Sequence, residues 1–247
     1  MQRILRVVGE ALLTAGAIVL LFTAYLLWGT SVRAATAQRQ FTNELNEQWL
    51  PAPQPGAASH GDVISMLPER YRVAIGQPFA FIRIPAFGKD WRFTLIQGTD
   101  LAQLNVSPGH VPGTSWPGQL GNFAVAGHRV TAGNPFWSLP LMKPGELVYI
   151  QTRLNNFTYR VTGKPVWVAP TDIAVLDAVP GHPHRKPTRR LLTLITCDPA
   201  WTGTYRVIVT ATLVAASPRL TKREGEHRCT AGSGTTCRAA PPSGRAR

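Results

Sequence analysis

Three side chains in this sequence have the types and settings that acyl transfer needs: Cys197, His128 and Arg206. Cys197 closes the run Arg190-Leu-Leu-Thr-Leu-Ile-Thr-Cys197, which reads as a buried strand with a thiol at its C-terminal lip. His128 closes Gly121-Asn-Phe-Ala-Val-Ala-Gly-His128 in the same way, and Arg206 opens the β-branched run after the cysteine loop. A cysteine attacks as the thiolate, so it needs a proton acceptor or a positive neighbour. An imidazole can act as that base and later protonate a leaving amine. A guanidinium and a backbone N–H can hold the negative oxygen of the tetrahedral intermediate. Each residue also has a plainer reading: a lone cysteine is commonly a small buried hydrophobe, a histidine a packed core residue, and an arginine at a strand start a solvated edge.

The elements that must position these groups are short and mostly extended. Alternating or apolar runs predict strands over 79–85, 92–97, 122–128, 145–152, 157–162, 164–168, 190–197 and 205–215. A helical turn capped by Asp100, a short helix over Phe136–Met142 and a turn at Asn155–Asn156 punctuate them. Ser107 to Gly121 reads as a shaped loop, because Trp116 gives it something to bury. Even spacing of short strands with few helices predicts an all-β barrel or sandwich.

The N-terminus sets the compartment. No charged residue occurs between Ala11 and Val32, and this apolar run can cross a hydrocarbon core roughly 30 Å thick. Arg3 and Arg6 precede it, which favours the N-terminus inside. A signal anchor is therefore predicted over residues 1–32, with a cleaved signal peptide as the competing reading because Ser31-Val-Arg-Ala-Ala35 offers a weak cleavage site. Either way the bulk of the chain is expected outside the cell membrane. Residues 33–76 predict an extracytoplasmic helix, with Phe41, Leu45 and Trp49 on one face, followed by a Pro-rich spacer at 51–59. The folded domain is placed at 77–216 and a basic, disordered tail at 217–247.

The net charge of +13 would ordinarily suggest nucleic acid. Much of it lies in the tail, outside the predicted fold, which argues against a nucleic-acid partner. Membrane lipid and anionic envelope polymers remain as uses for it, beside a tail with no specific partner. Of three cysteines, Cys229 and Cys237 lie together in that tail, where an oxidising exterior would let them pair. Cys197 is then the odd thiol.

Thr193-Leu-Ile-Thr-Cys197 resembles the TLxTC signature of sortases, the surface transpeptidases of Gram-positive bacteria. Phe81-Ile-Arg-Ile-Pro85, the segment ending at His128, Pro135-Phe-Trp-Ser-Leu139, Gly145-Glu-Leu-Val-Tyr149 and Tyr205-Arg206-Val-Ile-Val209 resemble further family segments in the same order. Ser107-Pro-Gly-His110 and the N-terminal anchor are most similar to class E, the actinobacterial housekeeping type. The resemblance implies a closed eight-stranded β-barrel with short helices and a two-step transpeptidation without a cofactor. Cys197 would attack the Thr–Gly bond of an LAxTG- or LPxTG-type sorting signal on a secreted protein, with LAxTG favoured. An amine of a cell-wall precursor or a pilin would release the thioester. His128 would be the acid/base and Arg206 the oxyanion and carbonyl stabiliser, with Thr196 and His110 in the groove wall. Val111 stands where close class E relatives often carry an aromatic, which bears on the second signal residue. The loop before the cysteine strand is basic, so no metal, calcium included, is expected. Asp198 sets a negative charge beside Cys197 that by itself disfavours a thiolate unless Arg206, Arg129 or solvent screens it. A hydrolytic cysteine peptidase and a non-enzymatic anchored β-barrel binding protein are the alternatives.

Overall fold

The computed structural model describes residues 2–25, 29–49, 66, 69 and 71–219. The Pro-rich spacer at 51–59, the tail beyond Arg219 and the Cys229–Cys237 pairing lie outside the described residues. Helix α1 (Gln2–Ala24) is exposed at nearly all of its described side chains and is apolar enough to span a membrane. Helix α2 (Thr30–Gln48) follows, and the described residues after it form nine strands with short helical turns between some of them: β1 (Pro78–Arg83), β2 (Arg92–Gln97), β3 (Gly109–His110), β4 (Gly121–Ala126), β5 (Leu147–Gln151), β6 (Asn155–Val161), β7 (Val166–Val168), β8 (Arg190–Asp198) and β9 (Tyr205–Pro218).

Eight of these strands form a ring in the order β6-β5-β1-β2-β3-β4-β8-β9, which a β6–β9 ladder closes. β7 lies outside the ring on β9. The β2–β3 and β4–β8 pairs are parallel, the others antiparallel. Closure removes the sheet edges that an eight-stranded open sheet would leave unpaired. Inside, Phe123 and Val125 of β4, Leu192 and Leu194 of β8, and Val209 and Ala211 of β9 meet Ile82, Leu95, Ile150 and Tyr159. Removing such side chains from water stabilises the fold by roughly 1.5–3 kcal/mol each.

Strand β1 is buried at every position but Arg83, so it lacks the alternation of a half-exposed strand. A register shift between Pro78 and Ala80 explains part of this, and α2 explains the rest. Leu45 and Trp49 of α2 cover Phe81 on the outer face of the barrel. Gln38 adds polar contacts: its Oε1 accepts from the Thr94 N–H at 2.7 Å and from the Thr94 hydroxyl at 2.8 Å. The apolar face at Leu45 and Trp49 is thus a docking face for the barrel.

Two local expectations change. Phe136–Met142 holds only a 3₁₀ turn at Leu139–Leu141, because Pro140 has no N–H to return to the Phe136 carbonyl in a continuing helix. Asn155 and Asn156 begin β6 instead of turning, and the reversal falls at Arg153 and Leu154. Asn155 is held in the strand by the Thr152 hydroxyl, which takes its N–H at 3.2 Å, and by Glu69 Oε2, which accepts from its amide at 3.2 Å.

Candidate active site

Side chains alternate across a strand, so β8 presents Leu192 and Leu194 to the core and Thr193, Ile195 and Cys197 to the other face. Cys197 and Arg206 are direct partners across the β8–β9 ladder and therefore share that outer face. On the other side of β8, the parallel ladder with β4 ends at Ala126 opposite Ile195. Two further bonds continue it: the Gly127 N–H donates to the Ile195 carbonyl at 3.0 Å, and the Thr196 hydroxyl to the Gly127 carbonyl at 2.8 Å. Two residues past the last rung on each strand come His128 and Cys197. The three predicted residues thus sit at the ends of three adjacent strands, at one end of the barrel.

His128 is half-buried, and that desolvation holds its pKa below the usual histidine range. Its Nε2 lies 3.3 Å from Asn105 Oδ1, at the C-terminal end of helix α3 (Leu101–Leu104). A neutral imidazole there can accept a proton, which is the state a base must start from. Arg206 donates from Nη1 to the carbonyl oxygens of Gly203, at 2.8 Å, and Tyr205, at 3.1 Å. These bonds fold the loop between β8 and β9 back over the thiol. Gly203 is at φ +62°, and a Cβ there would lie 3.5 Å from Cys197 Cβ and 3.6 Å from Sγ.

Asp198 belongs to the face opposite Cys197, and its charge is met on that face. One carboxylate oxygen is ion-paired with Arg129, and the other accepts the indole N–H of Trp167 at 2.7 Å. Trp167 is on β7 opposite Val207 and so reaches the same face. The negative charge beside the thiol is thus compensated by Arg129, one of the three screens considered from the sequence.

Two residues expected in the groove wall sit deeper. His110 is 1 % exposed, with Nδ1 2.6 Å from Gln97 Oε1 and Nε2 2.9 Å from Thr114 Oγ1 and 3.1 Å from the Ser115 carbonyl oxygen. Its ring packs among Trp116 and Phe123, and burial pushes its pKa down to about 4. Thr196 is 2 % exposed and spends its hydroxyl on Gly127. Both hold the strands beneath the site and offer no polar atom to a groove. Val111, next to His110 in the chain, is half-buried. Asn105, Trp167 and Gly203 were not singled out from the sequence. A tryptophan in an edge strand and a glycine in the cysteine loop were the signals available for the last two. Among the described residues no three His, Cys, Asp or Glu side chains gather as a metal-binding group.

A ring of eight strands with a thiol, an imidazole and a guanidinium at one end is the architecture of a sortase. The family model for the sortase domain matches residues 82–214, and the chain belongs to the sortase family. It is 33 % identical over 221 residues to sortase SrtE1 of Streptomyces coelicolor, a match covering 87 % of this chain and 58 % of that relative. The solved structure of sortase E from Streptomyces avermitilis is 39 % identical, with a TM-score of 0.54, over 59 % of this chain and 93 % of that one. Sortase E1 from Streptomyces coelicolor, solved with a tripeptide in its active site, is 33 % identical with a TM-score of 0.54, over 60 % and 94 % of the two chains. The SrtF sortase from Corynebacterium diphtheriae is 27 % identical with a TM-score of 0.59, over 64 % and 95 %. Within the family the similarity is to class E.

Proposed function

We propose that this chain is a membrane-anchored cysteine transpeptidase. It cleaves a C-terminal LAxTG- or LPxTG-type signal between Thr and Gly and joins the new carboxyl end to an amine of a cell-wall precursor or pilin. The observation that carries this reading is the direct cross-strand pairing of Cys197 with Arg206, with His128 past the end of the neighbouring strand.

In the first step His128 accepts the thiol proton and Cys197 Sγ attacks the Thr carbonyl carbon. The oxyanion forms against the Arg206 guanidinium. The C–N bond to glycine breaks, His128 returns its proton to the leaving amine, and a thioester remains. An acceptor amine then attacks that carbon, gives its proton to His128, and expels the thiolate. The tripeptide in the active site of the Streptomyces coelicolor relative supports a peptide as the substrate class here. Helix α1 acts as the single-pass anchor, with its Arg3 and Arg6 end inside and the barrel outside the cell membrane.

The test uses the full chain in detergent with fluorogenic LAxTG and LPxTG peptides, with and without a glycine-type amine. Amine-dependent ligation that disappears in Cys197→Ala is the expected result. Cleavage at the same rate without the amine would make the protein a hydrolytic peptidase. Absence of turnover together with absence of Cys197 labelling would leave a binding protein with an inert thiol.

A further inference from the structure

The residues immediately after His128 and Cys197 carry opposite charges, Arg129 and Asp198, and they are paired with each other. Their side chains are only 19 % and 22 % exposed. The backbone ladder between β4 and β8 has already ended at Ala126 and Ile195, and the Gly127–Ile195 and Thr196–Gly127 bonds are its last extensions. Among the described residues, the next connection between the segment carrying His128 and the strand carrying Cys197 is this ion pair. It lies one residue beyond both groups.

The pair is fastened on two sides. Trp167 donates its indole N–H to the free oxygen of Asp198 and ties it to β7. The Arg129 guanidinium lies 5.7 Å from the centroid of the Trp137 ring, which belongs to the loop following His128. Arg129 Nε is buried without a partner, so the guanidinium depends on Asp198 for its compensation. Removing Asp198 would leave a largely buried cation with no side-chain acceptor among the described residues, and the segment would have to move to hydrate it further.

We propose that Arg129 and Asp198 are positioning residues that hold His128 and Cys197 in reacting geometry, an inference that rests on the roles given to those two residues above. Neither touches the thiol: alternation sends Asp198 to the opposite face, and Arg129 follows it there. The pair acts through the placement of its neighbours. Displacing a reacting group by about 1 Å can cost on the order of a hundredfold in rate, so a clamp one residue away has leverage on kcat.

Positioning and electrostatic tuning predict different signs. If the two charges acted on thiol ionisation directly, removing the cation would slow Cys197 and removing the anion would speed it. A clamp is lost whichever half is removed. The experiment is a double-mutant cycle in the detergent-solubilised full chain, with Arg129→Gln, Asp198→Asn and both together, read as kcat, KM and the pH dependence of Cys197 alkylation by iodoacetamide. Each single variant should lower kcat by roughly tenfold with KM little changed. The double variant should be no worse than the poorer single one, and the alkylation profile should stay where it is in wild type. Arg129→Lys, which can still reach a carboxylate, should recover part of the loss; with Asp198→Glu it also serves if a neutral variant fails to fold. Opposite effects of the two single variants, additive losses, or an unchanged kcat would overturn the clamp. Turnover that survives Cys197→Ala would instead overturn the underlying assignment.

Discussion

Cys197 of β8 and Arg206 of β9 are opposite one another across an antiparallel ladder, so thiol and guanidinium emerge side by side from one face of the barrel. The guanidinium is not free to wander, because Nη1 donates to the Gly203 and Tyr205 carbonyls. Arg206→Lys keeps the charge and loses the planar fork that meets both carbonyls and an oxyanion. It should lower kcat/KM on a sorting-signal peptide by roughly a hundredfold, the scale of losing one oxyanion donor, with melting temperature nearly unchanged. A rate close to wild type would remove Arg206 from the mechanism.

Gly203 packs against the same two side chains. Its φ of +62° is a conformation that a Cβ makes unfavourable by about 1 kcal/mol or more. The added methyl of Gly203→Ala would also stand 3.6 Å from Cys197 Sγ, at contact distance, where a substrate carbonyl must approach. This variant should slow iodoacetamide labelling of Cys197 and peptide cleavage together, while shifting the melting temperature by only a few degrees. Unaltered labelling would show that the loop does not cover the thiol.

His110 predicts a pH effect on stability. In the unfolded chain its imidazole titrates near 6.5, and in the fold near 4 because burial penalises the charged form. Between those values the unfolded chain binds a proton that the folded chain refuses. Its contribution is therefore complete above pH 6.5 and lost as the pH falls towards 4, amounting to about 3 kcal/mol. Urea titrations of wild type and His110→Gln between pH 7 and 4.5 should give a flatter dependence for the variant. Parallel curves would mean that this histidine already protonates inside the fold.

The docking of α2 can be loosened separately from the barrel. Leu45 is fully buried against Trp49 and Phe81, and Arg219 lies over the Trp49 ring at 4.7 Å. Leu45→Ala should weaken this contact by about 2–5 kcal/mol, the range for a buried leucine. Hydrogen exchange should then quicken in α2 and stay slow in β8 and β9. Equal loss of protection in both would show that helix and barrel fold as one unit.

Much of the barrel was legible because its strands are locally consistent: alternating or wholly apolar runs bounded by turn residues mark all the longer ones. β3 was not, since two residues carry no periodicity, and Gly109–His110 becomes a strand only through β2 on one side and β4 on the other. His110 was misplaced for the same reason. A histidine beside a glycine and a proline looks like a loop residue, and its burial against Trp116 and Phe123 arises only when β3 pairs with β4 and the loop between them packs on the ring. Asn105 and Trp167 come to the site by long-range packing that no local pattern encodes.

By itself the sequence determined the chain's apolar first helix, its short strands, and the location of Cys197, His128 and Arg206 at strand ends. Those follow from side-chain periodicity and residue type, which act over a few positions. Only the tertiary structure decided that Cys197 is opposite Arg206, that Asp198 points away from the thiol, and that Arg129 compensates it. Register and barrel closure join residues far apart in the chain, and a one-residue slip of β8 would exchange the faces of Cys197 and Asp198. That slip is opposed by the burial of Leu192 and Leu194 in the core, so the packing of two leucines sets which of two neighbouring side chains, a thiol or a carboxylate, faces Arg206.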